Sequence, residues 1–287
     1  MQVQRRHPDW LKVPIPGGKN YAQIKKRLRS CKLHTICEEA KCPNLAECFG
    51  RGTATFLILG DTCTRNCRYC NVTHGAPLEL NNDEPEQVAQ SVKALGLSYV
   101  VITSVTRDDV LDGGADIFFR TVKAIKSISP TCRVEVLVPD FRGDIDALGT
   151  VLSAGPDVLN HNIEVVERLF PSLRPQGNYD TSLTLLRSSK KINKSLPTKS
   201  GFMIGLGETR EEILQLLDDL SEVGVDMLTI GQYLQPSRDH ETVKKYYTPK
   251  EFEDFKIIAL KKGFKHVESG PLVRSSYHAE DSLKVIS

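Results

Sequence analysis

Residues 55–70 read T-F-L-I-L-G-D-T-C-T-R-N-C-R-Y-C, and the two halves of this stretch together decide the fold. The first half is a short apolar run closed by Gly60, which reads as a strand buried on both faces. The second half sets Cys63, Cys67 and Cys70 within eight residues, with gaps of three and two. Three thiols do not divide into disulfides, and a closed structural zinc site takes four ligands. The spacing therefore predicts a metal or cluster site with one position left open. A reactive loop directly after a buried strand is how α/β folds carry their chemistry, at the carboxyl ends of the strands.

Further along, similar apolar runs recur at Ser98–Ser104, Arg133–Pro139, Asp157–Glu164, Gly201–Gly207 and Asp226–Tyr233. Segments of helical period lie between them. In E-P-E-Q-V-A-Q-S-V-K-A-L, Val88, Val92 and Leu95 share one face. In T-R-E-E-I-L-Q-L-L-D-D-L, Thr209 and Glu212 form a capping box that starts a helix. Six strands alternating with helices predict an α/β fold with parallel pairing through right-handed crossovers. Six units rather than eight point to a (β/α)6 partial TIM-like barrel. The loops after its strands, including Arg107–Ala115 and Gly207–Thr209, are expected to face the cysteine loop.

Composition narrows the function classes. Of 287 residues, 40% are hydrophobic and 26% charged, with a net charge of +2, as expected of a globular protein and not of a nucleic-acid binder. No apolar run reaches the length of a membrane span and the first residues lack an apolar signal segment, so a soluble cytoplasmic protein is expected. The basic run Lys25–Lys32 reads as a solvated helix face, with a docking patch for an acidic partner as the alternative. Seven of the eight cysteines lie between Cys31 and Cys70, which in a reducing compartment points to metal or redox chemistry. Cys132 reads as a small buried hydrophobe and Cys31 as structural.

A cubane [4Fe–4S] cluster ordinarily takes four thiolates. Three on one loop leave one iron free for a substrate or cofactor. C-x3-C-x2-C with an aromatic, Tyr69, before its last cysteine resembles the signature of the radical S-adenosylmethionine superfamily, whose usual fold is the (β/α)6 partial barrel. A second set, Cys37, Cys42 and Cys48, has the spacing C-x4-C-x5-C and is similar to the auxiliary-cluster motif of the lipoyl synthases. Near the carboxyl end, R-S-S-Y-H-A from Arg274 to Ala279 resembles the R-S-S-Y motif of that family. The stretches N-H-N-I-E, S-G-F-M-I-G-L-G-E-T and G-Q-Y-L-Q-P-S also match, so the likeness runs from about Cys37 to Ala279. One departure lies after Ser237, where the chain reads R-D-H-E-T-V-K-K-Y-Y and the family more often has a proline and a single aromatic.

The resemblance implies three regions: residues 1–50 carrying the auxiliary motif, 51–245 forming the barrel, and 246–287 a carboxyl-terminal helix and tail. It implies two [4Fe–4S] clusters and S-adenosylmethionine. Cys63, Cys67 and Cys70 hold the radical-generating cluster. Cys37, Cys42 and Cys48, with a serine of R-S-S-Y, hold the other; Ser276 is favoured over Ser275 by analogy. The implied reaction inserts two sulfur atoms at carbons 6 and 8 of an octanoyl chain on a carrier lysine, with the auxiliary cluster as donor. Those carbons are unactivated, so the cofactor carries the chemistry. The alternative is another sulfur-inserting or methylthio-transferring enzyme of the superfamily.

Expected cofactor contacts are Asn162 and Glu164 at the fourth strand end, Thr106, Arg174, for which a surface salt bridge is the alternative, and Gly207 with Glu208 at a helix start, where a plain cap is the alternative. Arg107 and Asp108 either touch the cofactor or close the site. His161 and His278 read as packing or network residues. Implied partners are octanoylated lipoyl carrier domains, namely E2 subunits and the glycine cleavage H protein, with a ferredoxin or flavodoxin as electron donor. No nucleic acid or membrane is expected, and a monomer suffices.

Overall fold

A computed structural model describes residues 8–12, 26, 34–39, 42, 44, 47–48 and 55–284, apart from the side chains of 34, 37 and 282–284. Cys31, the side chain of Cys37 and all of the basic run except Lys26 therefore lie outside the described residues.

The parallel strands of the main sheet alternate with helices, while a small parallel pair, Thr62–Cys63 with Thr73–His74, lies between the first strand and the first helix. The alternating elements are β1 (Thr55–Ile58), α1 (Glu84–Leu95), β2 (Tyr99–Ser104), α2 (Ala115–Ile128), β3 (Arg133–Leu137), α3 (Ile145–Ser153) and β4 (Val158–Asn160). The series continues with α4 (Tyr179–Ile192), β5 (Thr198–Ile204), α5 (Arg210–Glu222), β6 (Met227–Gln232), α6 (Pro249–Lys261) and β7 (His266–Gly270). The seven strands pair in sequential order and all in parallel. A two-residue antiparallel strand, His34–Thr35, lies along the outer edge of β1. This is the expected partial barrel with one parallel strand more than the six apolar runs predict.

The apolar runs form strands because they are covered on both faces. All four residues of β1 and the first five of β2 are buried, as parallel sheets require. Helices lay one stripe against them: Val88, Ala89 and Val92 of α1, and Ile213, Leu216, Leu217 and Leu220 of α5. The predicted capping box is present, Glu212 N–H donating to Thr209 Oγ1 and Thr209 N–H to Glu212 Oε2. A second box, Thr248 with Glu251, opens α6 around Pro249. β7 escapes the sequence reading because H-V-E-S-G buries only Val267. Its register with β6, from His266 opposite Met227 to Gly270 opposite Gly231, comes from backbone pairing at an open edge.

One glycine fixes how the loop after β2 enters α2. Gly114 has φ +89°, and a Cβ there would stand 2.3 Å from Leu59 Cδ1, at the end of β1. Gly114→Ala is expected to cost about 2 kcal/mol through left-handed strain and overpacking. Thermal denaturation should show a Tm lower by several degrees; an unchanged Tm would contradict this close approach.

Candidate active site

The cysteine loop leaves β1 and is held by its neighbours on every side. Thr64 donates through both its N–H and its hydroxyl to the Thr106 carbonyl, at 3.0 and 2.9 Å, while Asp108 N–H donates to Thr64 Oγ1 at 3.0 Å. Arg65, between the first two cysteines, is 4% exposed. Its guanidinium meets Asp108 at 2.7 and 2.9 Å and Asp140 at 2.6 and 2.7 Å. A buried guanidinium persists only when its charge is matched, and here two forked pairs match it. Burial opposes ionisation of Asp140, but Arg65 outweighs it and holds the carboxyl down to about 2. The same pairs push the arginine further up, against its own desolvation.

The far end of the loop is tied by the segment after β6. His240 Nε2 faces the Cys70 carbonyl at 2.9 Å. A carbonyl only accepts, so Nε2 carries the proton and Nδ1 accepts from the Ser237 hydroxyl at 2.8 Å. Glu241 N–H donates to the Arg68 carbonyl at 3.0 Å, and Arg68 N–H to the Leu173 carbonyl at 2.9 Å. The stretch that departs from the family pattern is thus a clamp on the cysteine loop.

Cys63, Cys67 and Cys70 open onto a cavity of about 360 Å³, and Cys42 and Cys48 line the same cavity. Burial pushes the Cys70 thiol up to about 12 and raises Cys67, where Arg174 partly offsets it. Burial likewise raises Cys42, against the Asn44 backbone and Arg274. A cubane takes each thiolate at a separate iron, so three thiols on one loop at one cavity suit such a cluster.

The two chain ends meet over this cavity. Asn44 Nδ2 donates to the Leu272 carbonyl at 2.6 Å, and the Tyr277 hydroxyl and His278 Nε2 both reach Glu47 at 3.1 Å. This brings R-S-S-Y beside Cys42 and Cys48. Its serines differ: the Ser275 hydroxyl donates to Asn162 Oδ1 at 2.7 Å, whereas the Ser276 hydroxyl, also on the cavity wall, has no hydrogen-bond partner among the described residues.

Asn162, Glu164, Arg174 and Thr106 line the cavity as well. Glu164 is held at φ +71°, its N–H on the Gly201 carbonyl at 3.0 Å and its carbonyl taking Met203 N–H at 2.8 Å. A non-glycine residue kept in that region is a mark of a functional site. Burial raises the Glu164 carboxyl, opposed by Arg174 and Asn162. Arg174 is buried against Asp140 at 3.9 Å and over the Phe170 ring.

Gly207 and Glu208, expected from the sequence as cofactor contacts, do not line this cavity. The Glu208 carboxylate turns back to accept from Gly205 N–H at 2.6 Å and Leu206 N–H at 2.9 Å, and the Gly207 carbonyl accepts from Arg168. They shape the turn into α5. Arg107 forks onto Asp109 and the Leu59 carbonyl, a bracing role. His161 donates from Nδ1 to the Val138 carbonyl at 2.8 Å, and burial with nearby Arg174 pushes it down to about 4, so it is a neutral packed residue. Sequence reading does not single out Arg65, Asp140 and His240, because most of the partners that give them a role lie in distant loops, and it names Ser275 only as the alternative iron ligand.

Replacing Arg65 by Ala is expected to destabilise the protein by about 3 kcal/mol, since it strands the buried Asp140 carboxylate and unpairs the half-buried Asp108, and to lower iron loading of the cysteine loop. Urea denaturation and iron assay check it; normal loading would contradict the bracing role. Because the Asp140 carboxyl is depressed from 3.8 to about 2, its ionised form favours the folded state. The stability lost in Asp140→Asn should be constant above about pH 4 and shrink as pH falls towards 2.

Comparison with known proteins agrees with this geometry. The radical S-adenosylmethionine superfamily pattern matches residues 57–220, and that of the N-terminal domain of lipoyl synthase of the radical SAM family matches residues 1–42. The chain is 54% identical over 285 residues to a lipoyl synthase of Rubrobacter xylanophilus, covering 99% of this chain and 89% of that one. With a lipoyl synthase of Caldicellulosiruptor saccharolyticus it shares 51% over 284 residues, covering 99% and 100%. Among solved structures, methylornithine synthase superposes with a TM-score of 0.55 at 16% identity, over 88% of this chain and 83% of that one. The FeFe-hydrogenase maturase HydG of Carboxydothermus hydrogenoformans gives 0.60 at 14%, over 93% and 68%; at such identities the likeness carries the fold alone. Identity above half along nearly the whole chain carries more: the chain belongs to the lipoyl synthase family of radical S-adenosylmethionine enzymes.

Proposed function

We propose that the cavity is where two sulfur atoms are inserted at carbons 6 and 8 of an octanoyl-lysine, with its two cysteine sets holding different clusters. Family membership implies S-adenosylmethionine, a [4Fe–4S] cluster and a second cluster, and a lipoyl carrier as substrate. When bound, these groups supply hydrogen-atom abstraction from unactivated carbon and the sulfur that replaces the hydrogen. The observation that carries the reading is that Cys42 and Cys48 share one cavity with Cys63, Cys67 and Cys70, beside a serine with an uncommitted hydroxyl.

Each residue then has a task. Cys63, Cys67 and Cys70 hold one cluster and leave an iron open to the cofactor. Cys37, Cys42, Cys48 and Ser276 hold the other. Ser275 is already committed to Asn162, which favours Ser276 as the oxygen ligand. A hydroxyl oxygen suits iron–sulfur chemistry less well than thiolate, so that iron is the exchangeable one. Glu164 offers a carboxylate to the ammonium or hydroxyl groups of S-adenosylmethionine, and Arg174 a guanidinium to its carboxylate. Asn162 orients Glu164, and Thr106 completes the wall. Leu137, Val138 and Met203 line an apolar part of the cavity, suited to an alkyl chain and to keeping water from a reactive intermediate.

The carriers proposed are E2 lipoyl domains and the glycine cleavage H protein, with ferredoxin or flavodoxin as reductant. The division at residues 50 and 245 is proposed as functional, the outer segments supplying the second cluster's ligands. No described helix is long and apolar enough to cross a membrane, and we place the reaction in the cytoplasm, on a monomer.

The test is anaerobic incubation with an octanoyl-lysyl peptide, S-adenosylmethionine and a reductant. A mass gain corresponding to two sulfurs supports the reading; cofactor cleavage without sulfur transfer contradicts it. At saturating S-adenosylmethionine, Ser276→Ala should keep cofactor cleavage and lose sulfur transfer by at least about tenfold, while undiminished transfer would remove Ser276 from the ligand set.

A further inference from the structure

Ser275 joins two parts of the site that carry separate tasks. Its hydroxyl donates to Asn162 Oδ1 at 2.7 Å and accepts from the Asn160 amide at 3.3 Å. The Asn162 side chain in turn lies beside the Glu164 carboxylate and favours its ionised form. On the other side, Asn160 Nδ2 donates to Glu135 at 2.7 Å; that carboxylate also accepts the Tyr99 hydroxyl at 2.6 Å and Lys199 Nζ at 3.3 Å. The Glu135 and Lys199 side chains are each 1% exposed. Protons run in one consistent sense: Asn160 to both Glu135 and Ser275, and Ser275 to Asn162. In such a chain a displaced member leaves its neighbour unsatisfied in a poorly hydrated interior.

The chain is ordered at Ser275. Tyr277 N–H donates to the Arg274 carbonyl at 2.9 Å, so Ser275 and Ser276 are the central residues of one turn. Gly201 leaves the space in which Asn162 Oδ1 lies: a Cβ there would stand 3.1 Å from that oxygen and 2.2 Å from Thr229 Oγ1.

We propose that Ser275 is a positioning residue that couples the two halves of the site, holding Asn162 and Glu164 toward S-adenosylmethionine while Ser276 beside it is held at the second cluster. This rests on the proposed roles of Ser276 and Asn162 and deepens them. Adjacent residues of one tight turn do not move independently. A turn whose Ser276 is not held loosens, and Asn162 loses the donor that orients it. Cofactor binding thereby senses whether the sulfur-bearing side is intact.

The test measures S-adenosylmethionine affinity by equilibrium dialysis on anaerobically prepared, iron-loaded protein, with the Mössbauer spectrum as a separate readout of the clusters. Ser275→Ala should weaken binding by about five- to tenfold while iron content and the second cluster's spectrum stay as in the unmodified protein. Ser275→Thr, which keeps the hydroxyl, should restore the affinity. Ser276→Ala should weaken binding in the unmodified background but by less than about twofold when Ser275 is already Ala, the non-additivity that coupling requires. Asn162→Ala serves as the reference. If it weakens binding and Ser275→Ala does not, the coupling is overturned and the cofactor site stands; additive effects of the two serine variants overturn the coupling as well. If Asn162→Ala binds normally, or Ser276→Ala leaves the second cluster's spectrum unchanged, the underlying assignment fails and the coupling fails with it.

Discussion

The site depends on two carboxylates converging on one buried guanidinium. Arg65 lies inside the cysteine loop, shielded from water, and its charge is matched only where Asp108 and Asp140 arrive together. Burying such charges costs much of what their attraction returns, so the pairs contribute placement more than net stability. Asp108 comes from the loop after β2 and Asp140 follows β3. Arg174, from beyond β4, approaches the same Asp140. One arginine thereby registers three strand ends against the loop that carries Cys63, Cys67 and Cys70.

Around that brace, the barrel works as a frame that the chain ends complete. Parallel pairing delivers the reactive loops to one end of the sheet. The segments before β1 and after β7 then cross over it and meet, Asn44 on Leu272 and Tyr277 on Glu47. Neither cysteine set is a finished ligand shell within its own stretch of chain. Family membership implies S-adenosylmethionine and two clusters, and the proposed division gives one set to each cluster. The cavity between them joins thiols, a few polar groups and an apolar wall, the mix expected where a largely apolar substrate meets a charged cofactor.

How much of this was legible in the sequence follows from how local each constraint is. Close spacing made both triplets visible in the sequence, and the structure brings Cys42 and Cys48 to the cavity of Cys63, Cys67 and Cys70. Six strands showed as apolar runs because both their faces are buried; β7 did not, because an edge strand needs backbone partners more than apolar side chains. The capping box at Thr209 was readable for the same local reason. The neighbouring Glu208 misled, since a glycine-glutamate turn before a helix resembles a ligand cradle, yet its carboxylate is spent on its own loop. The partners of Arg65 lie 43 and 75 residues away, and a pairing of that range leaves no local trace. Ser275 and Ser276 are indistinguishable in one dimension. Their hydrogen bonds separate them.

The measurement that bears most directly on the two-cluster site is iron and sulfide content, with a Mössbauer spectrum, of protein prepared anaerobically. Two cubanes, each short of one cysteine, predict about eight irons and eight sulfides per chain, with one iron of each cluster distinct from its thiolate-bound neighbours. Bound zinc, or only about four irons per chain with every iron thiolate-bound, would contradict the account.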